Sequence, residues 1–440
     1  MVVRIKIMRK FFLFIIFFFY SNLNAATIHD YETELFIQNI IKEVKKVNKY
    51  SNTINTNIIL DDNPNAFIDH NNQLFISTGL LKYTTSYEGF LGVIAHEIGH
   101  LQNFHIAKRK DSLDKISNLN ALTNLSLIAG SLIAENDEYL MQTLLTNKVS
   151  INNYYQAFSR DQEREADFYA IKTLNELKLS SLPLIDFLNY LEKKSKRKGI
   201  EDDFYKFSSH PIYDERYEII NNNKKEINYL FNKDINRQFN FIKAKLFGFT
   251  EKNNVNLKNY LINDYKTYAE SIIFSKNGML KESLRSINLL INENKNNIFL
   301  LETKADILFA NGYSKQSSLF YQKVLEKTPE NHYVSKRIFD IHFSNLRNES
   351  NDINELFNDF SFLLIRFDKN SDLKNKFRKL SIILNKKKWS TYFLLEENIN
   401  SNKFDNEFII QEMKKIKMLS EDKILIKLIT QKIEAINENK

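Results

Sequence analysis

Cysteine is absent from the 440-residue sequence. Its absence excludes disulfides, thiol nucleophiles, cysteine-ligated zinc fingers and iron–sulfur clusters held by thiolates. Proline (4 residues) and glycine (9 residues) are also scarce, which disfavours a turn-rich all-β fold and a flexible linker array. Hydrophobic residues make up 43%, so the chain can bury sizeable cores. A mainly helical protein of two or three domains is therefore expected.

The N-terminus has the three-part pattern of a secretory signal peptide. A basic head precedes an unbroken apolar run over 11–20, and a short polar stretch then ends in Ala25-Ala26. The run is shorter than the roughly 20 residues of a membrane-spanning helix, so we expect cleavage rather than a retained anchor. No cysteine follows it for lipid attachment. The sequence thus predicts a signal peptide over 1–25 and an exported protein.

The net charge of +8 raises the question of a nucleic-acid partner. Half of this excess lies in the predicted signal peptide, which holds four basic residues and no acidic one. The only dense basic run, over 193–198, has no nucleic-acid-binding motif beside it. We therefore expect no nucleic-acid partner.

Apolar periodicity predicts an amphipathic helix over 28–50. Three short strands are expected after it, at 57–60, 66–68 and 73–76. A second helix is expected to start near Thr85, because Thr85 and Glu88 have the spacing of a capping box. Helical periodicity dominates from there to the C-terminus, and we interpret the apolar stretch 119–134 as a buried helix rather than a membrane span.

An internal repeat appears in the second half of the chain. Segment 277–297 aligns without gaps on 311–331, an offset of 34 residues, which is the period of tetratricopeptide repeats. Gly278 and Gly312 are expected where the two helices of each unit approach closely. Such units bury their faces by stacking, so a helical solenoid over 256–440 is predicted, with an unrelated helical bundle as the alternative.

The segment that carries chemistry is HEIGH, at 96–100. Residues four apart lie on one face of a helix, so His96 and His100 can both direct a ring nitrogen at one zinc ion. Glu97 lies beside the open coordination position, where it can take a proton from metal-bound water and deliver it to a leaving amine. The alternative is a pair of solvated helix histidines. Apolar neighbours weaken it, because they predict a buried helix in which an unpaired polar group is costly.

A catalytic zinc usually takes three protein ligands, and no third histidine follows at short spacing. The segment SRDQEREAD, at 159–167, supplies carboxylates instead. Glu163 and Asp167 are again four apart, so one can bind the metal while the other orients a ligand. Glu165 lies between them and is expected to point elsewhere. The alternative for this segment is a charged, solvated helix face.

The other histidines carry no such pattern. His105 is five residues after His100, which rotates it away from the metal-facing side of a helix, so packing at the surface or in the core is expected. The remaining ones are interpreted as ordinary: His29, His70, His332 and His342.

HEIGH, EREAD (163–167) and SSHPIYDER (208–216), in this order, resemble the exported gluzincin peptidases related to the β-barrel-assembly-enhancing protease BepA. The resemblance covers nearly the whole chain. It implies a mainly α protein. An α+β protease domain over 26–255 would carry a small sheet and the HExxH helix, and a C-terminal α-solenoid of tetratricopeptide-like repeats would follow.

Carried over residue by residue, the resemblance implies one zinc ion per chain, with His96, His100 and Glu163 as ligands and Glu97 as general base. Asp167 corresponds to an aspartate that orients a zinc ligand from behind.

His210 matches a histidine that can approach the metal and hold such enzymes latent. Arg216 matches an arginine placed to steady the substrate or the developing oxyanion. Asn65 and Phe67 fall on the edge strand expected to pair with an extended substrate. The 101–158 insert resembles a plug region beside the active site.

The sequence is compatible with two functions. The first is a periplasmic zinc endopeptidase that cleaves misassembled outer-membrane or envelope proteins. Its repeat domain would dock substrates or an envelope assembly machine, with peripheral contact to the outer membrane. The alternative is a chaperone or adaptor for outer-membrane protein assembly, whose protease site is blocked by His210. The retained Glu97 argues for catalysis, since a purely structural site needs no general base.

Overall fold

A computed structural model describes residues 27–69, 71–108, 158–196, 210, 214–225, 230–346, 350–401 and 405–438. The predicted signal peptide, the apolar stretch 119–134 and most of SSHP lie outside these residues. The chain divides into two compact units. The first ends at Thr250 apart from a return over Val255–Tyr265, and the second holds Glu251–Asn254 and everything from Lys266. The predicted domain boundary, after residue 255, falls in this stretch.

The first unit contains a small four-stranded sheet. Its strands are β1 (Thr27–Ile28), β2 (Asn55–Ile59), β3 (Ala66–Ile68) and β4 (Gln73–Ser77). The order is β1-β2-β4-β3, with β2 parallel to β4 and the outer strands antiparallel to their neighbours. The three predicted strands are present to within two residues, whereas the two-residue β1 was not predicted. Among the described residues β3 is an edge strand.

Helices cover this sheet and form most of the first unit. They are α1 (Tyr31–Asn48), α2 (Thr78–Tyr83), α3 (Tyr87–Gln102), α4 (Arg160–Glu176), α5 (Leu182–Lys196), α6 (Asp214–Asn223) and α7 (Lys233–Thr250). The expected capping box at Thr85 is wrong by one residue. Ser86 has the extended backbone of an N-cap and accepts from the Gly89 amide, while Glu88 accepts from the Ser180 amide instead.

The contact between α3 and α4 depends on a glycine in HEIGH. A Cβ added at Gly99 would lie 3.0 Å from Tyr169 Cβ and 3.2 Å from Ala166 Cα, so the two helices approach more closely than a larger residue allows. On α4, Ser159 and Gln162 form a reciprocal capping box that fixes where the helix begins. These two features set the register between the HEIGH helix and the EREAD helix.

The second unit consists of helices joined by short turns. They are α8 (Asn263–Lys276, which begins just before the boundary), α9 (Leu280–Glu293), α10 (Ile298–Ala310), α11 (Ser314–Lys327), α12 (His332–Ser344), α13 (Ser350–Phe360), α14 (Leu363–Arg366), α15 (Ser371–Ile383), α16 (Lys387–Ser401), α17 (Asn406–Leu419) and α18 (Lys423–Glu438). Within the described part of the chain, no helix combines the length and the apolar character that a membrane crossing requires.

Two glycines occupy equivalent turns in consecutive hairpins of the second unit. Gly278 lies between α8 and α9, and Gly312 between α10 and α11. The expectation of close helix approach is wrong, because an added Cβ at either position would meet nothing within 4 Å. Their backbones have φ of +76° and +85°, and this left-handed turn is the reason for glycine. The hairpins recur with the predicted spacing, and their identity as tetratricopeptide repeats stays a prediction.

Candidate metal centre

The metal-facing histidines lie on the buried face of α3. His96 and His100 are four residues apart, and their Nε2 atoms are 3.1 Å from each other. The outer nitrogen of each ring is already engaged by protein. His96 Nδ1 is 2.8 Å from Asp167 Oδ1, and His100 Nδ1 is 2.9 Å from His105 Nδ1. The two Nε2 atoms therefore face one another and make no contact with the residues that hold the Nδ1 side of each ring.

Helix α4 brings the expected carboxylate to the same point. Glu163 Oε2 lies 3.4 Å from His96 Nε2, and Glu163 Oε1 lies 3.5 Å from His100 Nε2. Asp167, one turn later, lies behind His96 and is fully buried. Glu163 therefore faces the two histidine rings and Asp167 lies behind one of them, while their roles as ligand and orienting group stay a prediction.

His210 completes the cluster. Its Nδ1 is 3.0 Å from Glu163 Oε1, and its Nε2 is 3.3 Å from Glu97 Oε1. One ligand atom from each of His96, His100, Glu163 and His210 lies within 4.8 Å of all the others. This is the group among the described residues that could hold a metal ion.

The charges of the cluster suit a cation at its centre. Burial lowers the pKa of His100 well below its ordinary value, so this ring is neutral and can offer a lone pair. Burial also lowers the pKa of His96, but hydrogen bonds and charges from Asp167 and Glu163 outweigh it and raise that pKa to about 9. A metal ion that binds His96 Nε2 must therefore displace a proton.

Two donor atoms of the cluster are held by charge contacts alone. Glu163 Oε2 and His210 Nε2 are buried and make no hydrogen bond, but they lie 3.0 Å from Arg216 Nη1 and 3.3 Å from Glu97 Oε1, respectively. Burial raises the pKa of Glu163, but the charges of His210 and Arg216 outweigh it and lower that pKa well below its ordinary value. An ionised carboxylate with two imidazole nitrogens and no thiolate is a donor set that fits catalytic zinc.

Comparison with known protein families agrees with this geometry. Residues 32–224 match Peptidase family M48. This segment is a peptidase family M48 domain. It is a zinc-dependent metallopeptidase domain of the gluzincin type, so zinc is the metal for the buried cluster. A search among curated proteins found no match.

Arg216 of the M48 domain contacts the carboxylates behind the metal cluster. It lies on α6 and is buried. Its Nε and Nη2 donate to the two oxygens of Asp167 at 2.7 Å, and its Nη1 is 3.0 Å from Glu163 Oε2. These contacts hold the two carboxylates of EREAD in place. A role at the oxyanion stays a prediction.

Glu97 is buried beside the donors of the M48 site. Burial is the largest influence on this carboxyl and raises its pKa above the ordinary value, although the charges of His210 and His96 oppose the change. Its contact at 3.3 Å is with His210 Nε2. A carboxyl group with a raised pKa beside the metal donors is suited to accept and return a proton.

Sequence reasoning assigned no role beside His100 to three residues: His105, Glu165 and Phe158. His105 is almost fully buried and contacts His100, Glu165 contacts His105, and the Phe158 ring stacks on His100 with centroids 3.7 Å apart. The rotation argument against His105 assumed that α3 continues, but the helix ends at Gln102. Glu165 does point away from the metal cluster, as expected.

The predicted substrate residues lie at the sheet edge. Asn65 immediately precedes β3, and its backbone N–H donates to Ser77 Oγ at 2.8 Å. Phe67 lies on β3, is partly exposed and stacks on Phe75 with ring centroids 4.8 Å apart. Their role in substrate binding stays a prediction.

Proposed function

We propose that the protein is an exported zinc endopeptidase in which His96, His100 and Glu163 hold the metal and Glu97 is the general base. The observation that carries this proposal is Glu97 itself. It is a buried carboxylate beside the donor cluster that the metal does not need as a ligand. Burying such a group has a cost, and catalysis explains why it is there.

The residues have separate tasks in peptide hydrolysis. Zinc, when bound, supplies the Lewis acidity that lowers the pKa of a water and polarises the scissile carbonyl. Glu97 accepts the proton of the attacking water and passes it to the leaving amine. Asp167 holds His96 through Nδ1, and Arg216 neutralises the charge of the carboxylates behind the site.

A Glu97→Gln variant tests this proposal. It keeps the size of the side chain but cannot accept a proton, so we expect at least a 100-fold loss of proteolysis, within the range of about 10²–10⁴ for general acid–base groups. Zinc content and the unfolding temperature should stay at wild-type values. The substrate is a purified, unfolded outer-membrane β-barrel protein. Wild-type cleavage rates in the zinc-loaded variant would refute the assignment.

We propose that His210 regulates access to the metal. Its ring contacts both Glu163 and Glu97, so in this position it occupies space that an attacking water or a substrate would need. The resting enzyme would then be latent, and substrate binding would have to move His210 aside.

The location and partners are proposed from the sequence. The N-terminal pattern supports export to the periplasm, and the resemblance to BepA-like peptidases suggests misassembled outer-membrane proteins as substrates. The helical hairpins of the second unit would dock substrates or an assembly machine, with peripheral contact to the outer membrane. N-terminal sequencing of the protein from a periplasmic extract tests export. A chain that still begins at Met1 would contradict it.

A chaperone or adaptor is the second candidate. The observation that favours it is the contact of His210 with Glu97, because a permanently covered site would not turn over. The two functions differ in their dependence on Glu97. A chaperone would suppress aggregation of an unfolded β-barrel protein equally well with Glu97→Gln, and wild-type protein would leave that substrate uncleaved.

A further inference from the structure

His105 and Glu165 form a chain of contacts that ends on a metal-facing histidine. Glu165 Oε2 lies 2.9 Å from His105 Nε2, and His105 Nδ1 lies 2.9 Å from His100 Nδ1. The side chain of His105 is 1% exposed, whereas that of Glu165 is 58% exposed. The chain therefore runs from the protein surface to the ring of His100.

The end of helix α3 and the turn that follows it make this contact possible. Helix α3 ends at Gln102, and the Asn103 amide donates to the Gly99 carbonyl at 3.1 Å. Phe104 then has φ of +60°, a left-handed conformation that is uncommon for a residue other than glycine. On a continuous helix residue 105 would point away from His100, and this turn brings it back.

The positions of the protons follow from the types of the three groups. An ionised carboxylate only accepts, so the Nε2–H of His105 donates a hydrogen bond to Glu165. In this tautomer His105 Nδ1 carries a lone pair and accepts a hydrogen bond from the Nδ1–H of His100. His100 is left with its lone pair on Nε2, the nitrogen that faces the donor cluster.

We propose that His105 is a positioning residue for zinc, with Glu165 fixing its tautomer and His105 in turn fixing the tautomer and direction of His100. This inference rests on the ligand role of His100 in the proposed function. The two zinc histidines are thus held differently. His96 is held by the buried carboxylate of Asp167, and His100 by a second imidazole whose own partner is at the surface.

The proposal predicts a graded effect on zinc affinity. His105→Phe keeps a ring of similar size but has no acceptor, so we expect the zinc Kd to rise about 10–100-fold, as for other groups behind metal ligands. His105→Gln offers a carbonyl oxygen to His100 Nδ1 and should recover most of that loss. Glu165→Leu should raise the Kd by less than about tenfold, because water can replace an exposed partner.

The measurement is competition between the purified full chain and a chelator for zinc, with no substrate present. Asp161→Leu is the matched control, since this exposed carboxylate lies on the same helix and pairs with Arg164 rather than His105. Long-range ¹H–¹⁵N NMR of histidine-labelled protein reports the tautomer directly, and His100 should carry its proton on Nδ1 in the wild type. Thermal unfolding of the metal-free variants checks that each one folds.

Three results would overturn the inference. A zinc Kd for His105→Phe within about threefold of wild type would remove the positioning role, since this is below the tenfold effect expected. Equal losses in His105→Phe and His105→Gln would mean that shape, not the hydrogen bond, matters. A proton on Nε2 of His100 would reverse the proposed chain. If the wild type itself binds no zinc, the proposed function fails as well, and this outcome is distinct from a failure of the variants alone.

Discussion

Removing His210 should activate the enzyme. In the structure its Nδ1 is hydrogen-bonded to Glu163 and its Nε2 is close to Glu97, while its side chain is only 16% exposed. His210→Ala deletes these contacts and leaves the other donors in place. If the ring covers the site in the resting enzyme, the variant should start in the state that wild-type protein must first reach by opening.

The size of the activation follows from the contact that opening breaks. A hydrogen bond to a charged group contributes about 1.5–3 kcal/mol to stability. At about 1.4 kcal/mol for each tenfold change, the open fraction of the wild type would be smaller by roughly 10–150-fold. We therefore expect kcat/KM for an unfolded β-barrel substrate to rise by about one to two orders of magnitude in His210→Ala.

The assay is cleavage of that substrate at concentrations far below KM, with zinc content measured on the same samples. His342→Ala, a histidine substitution in the second unit, controls for general effects and should behave as wild type. The double variant with Glu97→Gln should be inactive, which would show that the added activity comes from this site. Equal or lower cleavage by His210→Ala with zinc retained would refute the latch.

The remaining predictions concern stability and metal binding. Gly99→Ala should lower the free energy of unfolding by about 1–3 kcal/mol in urea titrations, because the added Cβ has no room against α4. Gly92→Ala is the control. Its added Cβ would make its nearest contact at an ordinary 3.4 Å, so this variant should not be destabilised. Asp167→Asn should weaken zinc binding about 10–100-fold in chelator competition, because His96 loses its charged partner. Burial lowers the pKa of Lys243 to about 8, so above that pH the unfolded chain binds more protons than the native one and stability rises with pH. We expect the free energy of unfolding of the wild type to rise by about 2 kcal/mol between about pH 7.5 and 9.5, and this rise should be absent in Lys243→Met. Equal slopes of the free energy of unfolding against pH in the two proteins would contradict this prediction.

Short-range periodicity predicted the metal-facing side of the site. His96 with His100 and Glu163 with Asp167 are each one helical turn apart, and both pairs lie on α3 and α4 as this spacing implies. The contribution of His105 could not be predicted in this way. It depends on where α3 ends and on one left-handed residue, and helix boundaries are the least reliable part of a sequence-based prediction.

The expectation of close helix approach at Gly278 and Gly312 was wrong for a related reason. The repeat alignment identified Gly278 and Gly312 as equivalent, but an alignment does not distinguish a residue chosen for its small size from one chosen for its backbone angle. At Gly99 the small size of glycine is what the packing of α3 against α4 requires, and the HEIGH motif alone does not indicate this. Arg216 illustrates the same limit, since its buried contacts with two carboxylates depend on tertiary packing alone.

The metal donors are far apart along the chain, and this has a consequence for folding. An unfolded chain contains only the two histidines of α3 as near neighbours, and the full set forms only after α4 has packed and residue 210 has returned. A ligand that prefers the native state stabilises it in proportion to RT ln(1 + [L]/Kd). Free zinc should therefore act as a folding ligand that joins α3 to α4, and its withdrawal should lower the free energy of unfolding of the first unit as well as stop its chemistry.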